Sequence, residues 1–447
     1  MKKKACCIFV YLLLAPIALL LLVSTGTPAS TEEMTVEDAI RLGLKNNYDI
    51  QIARHTAEIA INNKGKGIAS FLPVIDTNSD FRYDDSNEET GSPMRFGNAS
   101  TRSLNSQLSL SWTLFDGFMM FADKKRYDEL AKSGEYQARD SIESTVVSIM
   151  EAFFNLVQQE LLLDVVYDTR DISKRRLERE EVRRDLGGAS STDLLNARVN
   201  FNNDESVLLD QQLAVTIARK DLNVVLARDP LTPVVVKKEI AIPPLDSEFD
   251  ELLMRARERN STLLAAKYNK KAADENVRIA KSAFWPRLVL NSSYGYTDWA
   301  LRGDETITSA DKDSHNIESG VGLMLSFNLF NGNVDKINYQ NTRLEALNQD
   351  LTVRNIENKI AGLVQEKYTT FQKRMAKVRL EEENTGTARQ NMELQKERYA
   401  TGASDSLDFR DAQVNYAQAQ VRLIVARYDA RISLLEIQQL VGKVEID

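Results

Sequence analysis

The stretch that decides the fold is LSWTLFDG, Leu110 to Gly117, because it recurs as LSFNLFNG at Leu325 to Gly332, about 215 residues further on. Each copy closes a run of alternating apolar and polar residues and opens a long tract without proline. Before the first copy, Leu108, Leu110, Trp112 and Leu114 alternate with Gln107, Ser109, Ser111 and Thr113. Before the second, Val321, Leu323, Leu325, Phe327 and Leu329 alternate with Gly320, Gly322, Ser326 and Asn328. Period-two alternation of this kind marks strands with one apolar and one polar face. After each copy the period changes: Ile142, Val146, Ile149, Phe153 and Leu156 step by four and three in a heptad seam, and Phe371, Met375 and Val378 continue it in the second tract. The phrase therefore marks a strand-to-helix junction, with Asp116 and Asn331 as N-cap candidates and Gly117 and Gly332 beside them.

Other landmarks repeat in the same order. VEDAIRLGLKNN from Val36 resembles FDELLMRARERN from Phe249, and ASFLPVIDTNSDFRY from Ala69 matches SAFWPRLVLNSSYGY from Ser282, with Pro73 and Pro286 in register. GGASSTDLLNARVNF from Gly187 matches GASDSLDFRDAQVNY from Gly402. Pro230, Pro233, Pro243 and Pro244 crowd into one segment between the halves, which reads as a linker. The expected organisation is a leader over 1–29, a first repeat over 30–228, a linker over 229–248 and a second repeat over 249–447. Strands are expected near 72–84, 103–115, 287–297 and 317–330. Long helices are expected near 116–186, 192–227, 331–401 and 405–441. Two long polar loops should join the strands of each pair, starting at Asp84 and Asp298. The segment from Tyr48 to Ser70 should stack as one further helix on the shorter return helix. On that helix's duplicate, Val414, Ala417, Val421, Ile424 and Tyr428 should carry the seam back.

The leader has three early lysines, an apolar run to Val23 and small residues up to Ala29, as a secretory signal does. It holds both cysteines, Cys6 and Cys7, so the mature chain would form no disulfide. Net charge is −8, with no basic block to suit nucleic acid. Past the leader no uninterrupted apolar run reaches the ~18 residues of a spanning helix, so a membrane form must be a closed barrel. The aromatic residues Phe81, Tyr83, Trp112, Tyr294, Tyr296 and Trp299 suit the interfacial girdle of such a barrel. Four strands cannot close one, because the smallest have about eight. A cyclic trimer supplies twelve. The fold class is thus an α+β membrane protein, a duplicated strand–strand–long helix–helix unit whose four strands form a twelve-stranded β-barrel in a homotrimer, continued by a long α-helical coiled-coil tunnel.

The junctions, the duplicated halves, the leader and the two glycine turns followed by Asp193 and Asp408 resemble the TolC-like outer-membrane efflux proteins. The resemblance covers nearly all of the mature chain. It implies a trimeric, passive, gated exit duct in the outer membrane of a Gram-negative bacterium, with a large periplasmic portion. Such a duct docks through a periplasmic membrane-fusion adaptor onto an inner-membrane pump of the RND, ABC or MFS type and exports small molecules or proteins. It also implies that Asp408 and Asp411 line the closed periplasmic entrance, that Tyr399 helps hold it shut, and that Asp193 and Asn196 are their first-repeat counterparts. Ser404 stands where the best-known member has an arginine, so the latch is expected to differ. The helix-reversing turns, carrying Gly187, Gly188, Ala189, Ser190, Gly402, Ala403 and Ser404, lie farthest from the membrane and are the expected adaptor-docking tip. Acidic residues in a first helical turn are also favoured by the helix dipole alone.

No nucleotide loop, HExxH, GxSxG or cysteine nucleophile is present, and the SxxK at Ser309 lacks its partner motifs. His55 and His315 have no clustered ligands in sequence. Nothing calls for an enzyme, a cofactor or a metal, and the partners expected are other copies, the adaptor, the pump and outer-membrane lipid, not nucleic acid. The competing reading is a soluble periplasmic coiled-coil adaptor or scaffold, which has no use for four bilayer-length amphipathic strands.

Overall fold

The computed structural model describes residues 33–89, 96–186, 191–245, 247–303 and 312–443. The leader and the tip residues Gly187, Gly188, Ala189 and Ser190 lie outside them. Each half has two or three short helices, a strand pair, a long helix and a return helix. In the first these are α1 Val36–Asn46, α2 Tyr48–Asn62, α3 Lys64–Ala69, β1 Val74–Glu89, β2 Phe96–Phe115, α4 Met119–Asp185 and α5 Ser191–Val225. In the second they are α6 Phe249–Arg259, α7 Ser261–Ser282, β3 Arg287–Gly303, β4 Lys312–Ser326, α8 Val334–Thr401 and α9 Ser406–Leu440.

The strands form one antiparallel sheet in the order β1-β2-β3-β4. Register places Ile75, Leu110 and Val321 in one cross-strand row, Trp112, Leu290 and Leu323 in another, and Leu288 opposite Leu325. All share one face, with Tyr294 and Tyr296 two rows further along. On β3 this apolar band runs from Leu288 to Tyr296, about 26 Å at ~3.3 Å per residue. That is close to the ~25 Å band of membrane barrels. Beyond it the same face becomes charged, with Asp298 3.4 Å from Arg102 and 3.0 Å from His315, and Arg302 2.6 Å from Asp313.

Three expectations for the strands need correction. The strands are 15 to 20 residues long, because the ladder continues into the segments read as polar loops, as far as Glu89 opposite Phe96 and Gly303 opposite Ala99. Antiparallel pairing satisfies their backbone whether or not lipid surrounds it. Conversely, β4 stops at Ser326, opposite the first residue of β3, so Phe327 to Phe330 have no strand to pair with in this chain. Trp299 pairs with Ser103 and Ser314, which puts it on the polar face, opposite to Tyr294 and Tyr296 and away from the girdle.

The duplicated phrase produces duplicated backbone. Gly117 and Phe118 are consecutive left-handed residues (φ 70° and 69°), and so are Gly332 and Asn333 (φ 68° and 66°). This pair turns the chain out of the sheet into the long helix. The N-cap positions fall on Phe118 and Asn333, two residues later than expected, although the Asp116 carboxylate still accepts from the Met120 N–H in the first turn of α4 at 3.0 and 3.2 Å. Asn331 does not, and α8 starts without a side-chain cap. The difference follows the surroundings: Asp116 is buried and its junction packs on the end of α7, whereas Gly332 has nothing within 4 Å of a built Cβ.

α4 has 67 residues and α8 has 68, roughly 100 Å each at 1.5 Å per residue. Each return helix has 35 and covers half of that. The remainder comes from end-to-end stacking through two equivalent asparagines. Asn47 donates to the last turn of α5 at Val225 O (2.7 Å) while its side-chain oxygen accepts from Ile50 N–H in α2. Asn260 donates to Leu440 O at the end of α9 (3.2 Å) and accepts from Leu263 N–H in α7. The stack on α5 is two helices, not one, because it breaks at Asn63.

The α4 seam buries Val146, Ile149, Phe153 and Leu156, and the α8 seam buries Phe371 and Val378. On α9 the deeply buried line is Ala412, Ala419, Ala426 and Ser433, at strict heptad spacing, while Val414, Ala417, Val421, Ile424 and Tyr428 are only half-buried. Small residues on α9 let the large ones of α8 approach, as Val378 does against Ala426. An 18-residue window of α4 is apolar enough to cross a membrane, but half of it is buried within this protein. Around it lies the largest core cluster, at the waist where α1, the linker and the end of α9 meet α4.

Candidate functional site

The described part of the tip is the turn between α8 and α9. Gly402 is left-handed (φ 77°), and the N–H groups of Gly402 and Ala403 bond back to Tyr399 O and Arg398 O at 3.2 and 2.8 Å. This satisfies the last carbonyls of α8. Asp405 then caps α9, accepting from the N–H groups of Leu407 (2.9 Å) and Asp408 (2.8 Å). Asp408 and Asp411 follow on the same face of α9, three residues apart and both exposed. The Ser404 hydroxyl lies 3.0 Å from Asp408 Oδ2 and 3.2 Å from Gln395 Oε1, so it tethers one of the two carboxylates. Asp193 stands in the first turn of α5.

Tyr399 is buried and crosses between the repeats. Its hydroxyl donates to Glu180 Oε1 on α4 at 2.5 Å. The ring lies between Phe409, stacked at 5.4 Å, and the Arg179 guanidinium, 4.3 Å from its centre. Burial, then the bond to Glu180, pushes the Tyr399 hydroxyl above its ordinary pKa, so it remains a donor. Glu180 is fully buried and also accepts from Arg183 at 3.2 Å.

A second tie lies one turn along α9. Arg410 donates in bidentate fashion to Asp204 of α5, at 2.7 and 2.8 Å, and Ser173 of α4 donates to the same carboxylate at 2.5 Å. Asp204 occupies the heptad position where α9 carries Ala419, so the first repeat has placed a carboxylate in a line of small residues. Gln413 adds a bond to Thr169 O at 2.9 Å. Arg176, itself buried, sits among these groups, and desolvation followed by repulsion from Arg410 lowers its pKa.

Of the residues read from sequence, Tyr399 is thus brought against α4, while Asp408 and Asp411 share an exposed face with no cross-repeat bond among the described residues. Glu180, Arg179, Asp204, Arg410 and Ser173 were not singled out. Arg410 and Asp204 are 206 residues apart, and only the offset between repeats, Asp against Ala, marks the site in one dimension. Among the described residues no group of three or more His, Cys, Asp or Glu could hold a metal ion.

The model of the outer membrane efflux protein family matches residues 39–228 and again 252–443. The outer membrane protein TolC of Salmonella enteritidis is 20% identical over 403 residues, which is 89% of this chain and 79% of that protein. The outer membrane efflux protein BepC of Brucella suis is 20% identical over 427 residues, covering 95% and 88%. The CmeC outer membrane channel of Campylobacter jejuni superposes with a TM-score of 0.75 at 17% identity, covering 92% of this chain and 87% of that one.

Proposed function

The chain belongs to the outer membrane efflux protein family, and from that premise we propose how it works as an efflux channel of the Gram-negative outer membrane. The observation that carries this reading is the sheet. It has two open edges, one apolar face of bilayer height, and runs directly into helices of roughly 100 Å. With four antiparallel strands, β4 of one copy meets β1 of the next in antiparallel sense, so a ring of copies closes with no edge. Three copies give twelve strands and a tunnel of the same symmetry. A soluble adaptor or scaffold is not favoured, since it would leave that apolar face in water.

The chain is read as two repeats, 30–228 and 249–447, behind a cleaved leader. The duct is passive, and Asp408 and Asp411 from three copies form an acidic ring at its periplasmic entrance. The turns containing Gly402, Ala403 and Ser404, and Gly187 to Ser190, receive a periplasmic adaptor. That adaptor connects the duct to an inner-membrane pump of the RND, ABC or MFS type, which drives small molecules or proteins through it. Like charges around one axis attract cations and repel anions. The test is single-channel conductance in planar bilayers, comparing the parent with the double variant Asp408→Asn, Asp411→Asn. The parent should conduct weakly, prefer cations and be blocked by a trivalent cation from the periplasmic side, and the variant should lose block and preference. Identical block in both leaves the aspartates as helix-start residues, and no conductance in either removes the channel.

A further inference from the structure

Arg431 lies on α9 at the waist, far from the tip and the sheet. Its Nε and Nη1 are buried without a hydrogen-bond acceptor, and it makes no ion pair among the described residues. Its guanidinium is 5.0 Å from the centre of the Phe154 ring, which holds it in place. Burial lowers its pKa, and the charge of Glu37 only partly counters this. A cation in this state lacks the anion that its desolvation demands.

Two cavities open beside it. The first, about 350 Å³, is walled by Val36, Ile40, Val147, Met150 and Leu435 and carries Arg41, Lys443 and Gln438 as further polar groups. Glu37 is the one carboxylate on its lining, against Arg431, Lys443 and Arg41, the last of which is already paired with Asp38 at 3.2 Å on the exposed rim. The second, about 460 Å³, shares Val36, Glu37 and Arg431 with the first and is otherwise lined by Phe153, Phe154 and the linker, including Lys237 and Glu239. The first has room for roughly ten waters at ~30 Å³ each, or for a ligand with about as many heavy atoms.

The geometry points to a binding site at the waist for a small amphiphilic anion. Its carboxylate or phosphate head bonds Arg431, with Lys443 and Arg41 beside it, and a short alkyl chain lies between Ile40, Val147, Met150 and Leu435. An inorganic anion alone leaves the apolar wall wet, and a neutral amphiphile leaves the guanidinium unpaired, so both features select for a ligand that carries both parts. The site is distinct from the gate and from the adaptor tip.

The experiment uses the full-length trimer in lipid nanodiscs, with calorimetric titration of hexanoate and hexyl phosphate against hexylammonium, and with empty discs subtracted. Saturable binding of the anions at one per chain, absent for hexylammonium, is expected. Arg431→Gln should weaken it at least tenfold, and Ile40→Trp should do the same with Arg431 intact by filling the apolar half. Glu37→Gln should tighten it. Trimer integrity is followed by size exclusion for each variant. Equal affinity for Arg431→Gln and parent, equal binding of hexylammonium, or no saturable binding to the parent trimer overturns the proposal. None of these outcomes bears on conduction, which is measured separately.

Discussion

At the scale of single residues, the two junction glycines separate conformation from space. Both sit in the left-handed region, where an L side chain costs about 1–2 kcal/mol. Only at Gly117 would a Cβ also collide with neighbours, 2.5 Å from Ser282 O and 2.7 Å from Trp285 Cβ. Gly117→Ala should therefore destabilise the protein by roughly 1–3 kcal/mol more than Gly332→Ala, through the added overpacking, and melt at a lower temperature. Circular dichroism melts decide it, and equal losses would mean that α7 yields. Glu151 offers a pH test. Burial, then the nearby Glu436, raises its pKa above the ordinary carboxylate value. The folded chain thus binds this proton more tightly than the unfolded chain does. The penalty is absent below the unfolded pKa and appears as pH rises through the folded one. Glu151→Gln should accordingly stabilise the protein at neutral pH and leave it unchanged in acid, as read from denaturation midpoints across pH. A loss at neutral pH would contradict this.

At the scale of elements, each long rod is completed by a splice whose parts are one asparagine and two helix ends. The amide is suited to this because it both donates and accepts. Replacement of Asn47 or Asn260 by Ala should cost about 1–2 kcal/mol, as for other helix caps. Aspartate should recover only part, since it keeps the cap but sets a carboxylate against Val225 O or Leu440 O. Full recovery by aspartate, seen in chemical denaturation, would reduce the splice to ordinary capping. Much at this scale was legible beforehand: the period changes at Phe115 and Phe330, and the missing prolines put the long helices within three residues of their ends. What failed depended on partners. Strand ends follow the ladder and not local polarity, so Asp84 to Glu89 became strand and Phe327 to Phe330 did not. The α9 seam was misread because its buried positions are alanines, which carry little hydrophobic signal although they set how near α8 comes. At the tip, the family resemblance pointed to Tyr399 by its place before the turn glycine, but nothing local pointed to its bond with Glu180, which joins elements 219 residues apart.

At the scale of the whole molecule, each chain presents two long helical hairpins, α4 with α5 and α8 with α9, each closed by its own seam. Near the tip they are joined by buried polar contacts between repeats: Tyr399 with Glu180, Arg410 with Asp204, and Gln413 with Thr169 O. Buried ion pairs add little net stability, but they fix one arrangement, because breaking one leaves a bare charge. If the Arg410–Asp204 pair holds the entrance arrangement, its removal should change conduction more than folding. Arg410→Ala alone strands a buried carboxylate and should destabilise the tip by about 3–5 kcal/mol. The double variant Asp204→Ala, Arg410→Ala gives the first repeat the small residue that the second already has at Ala419, and should keep nearly the parental stability. Its single-channel conductance should nonetheless rise above the parent's, since the hairpins are then free to separate at one of their joins. Parental conductance in the double variant, together with a loss of stability in the single one, would assign the pair to packing alone and leave Tyr399 and Glu180 as the connection that matters.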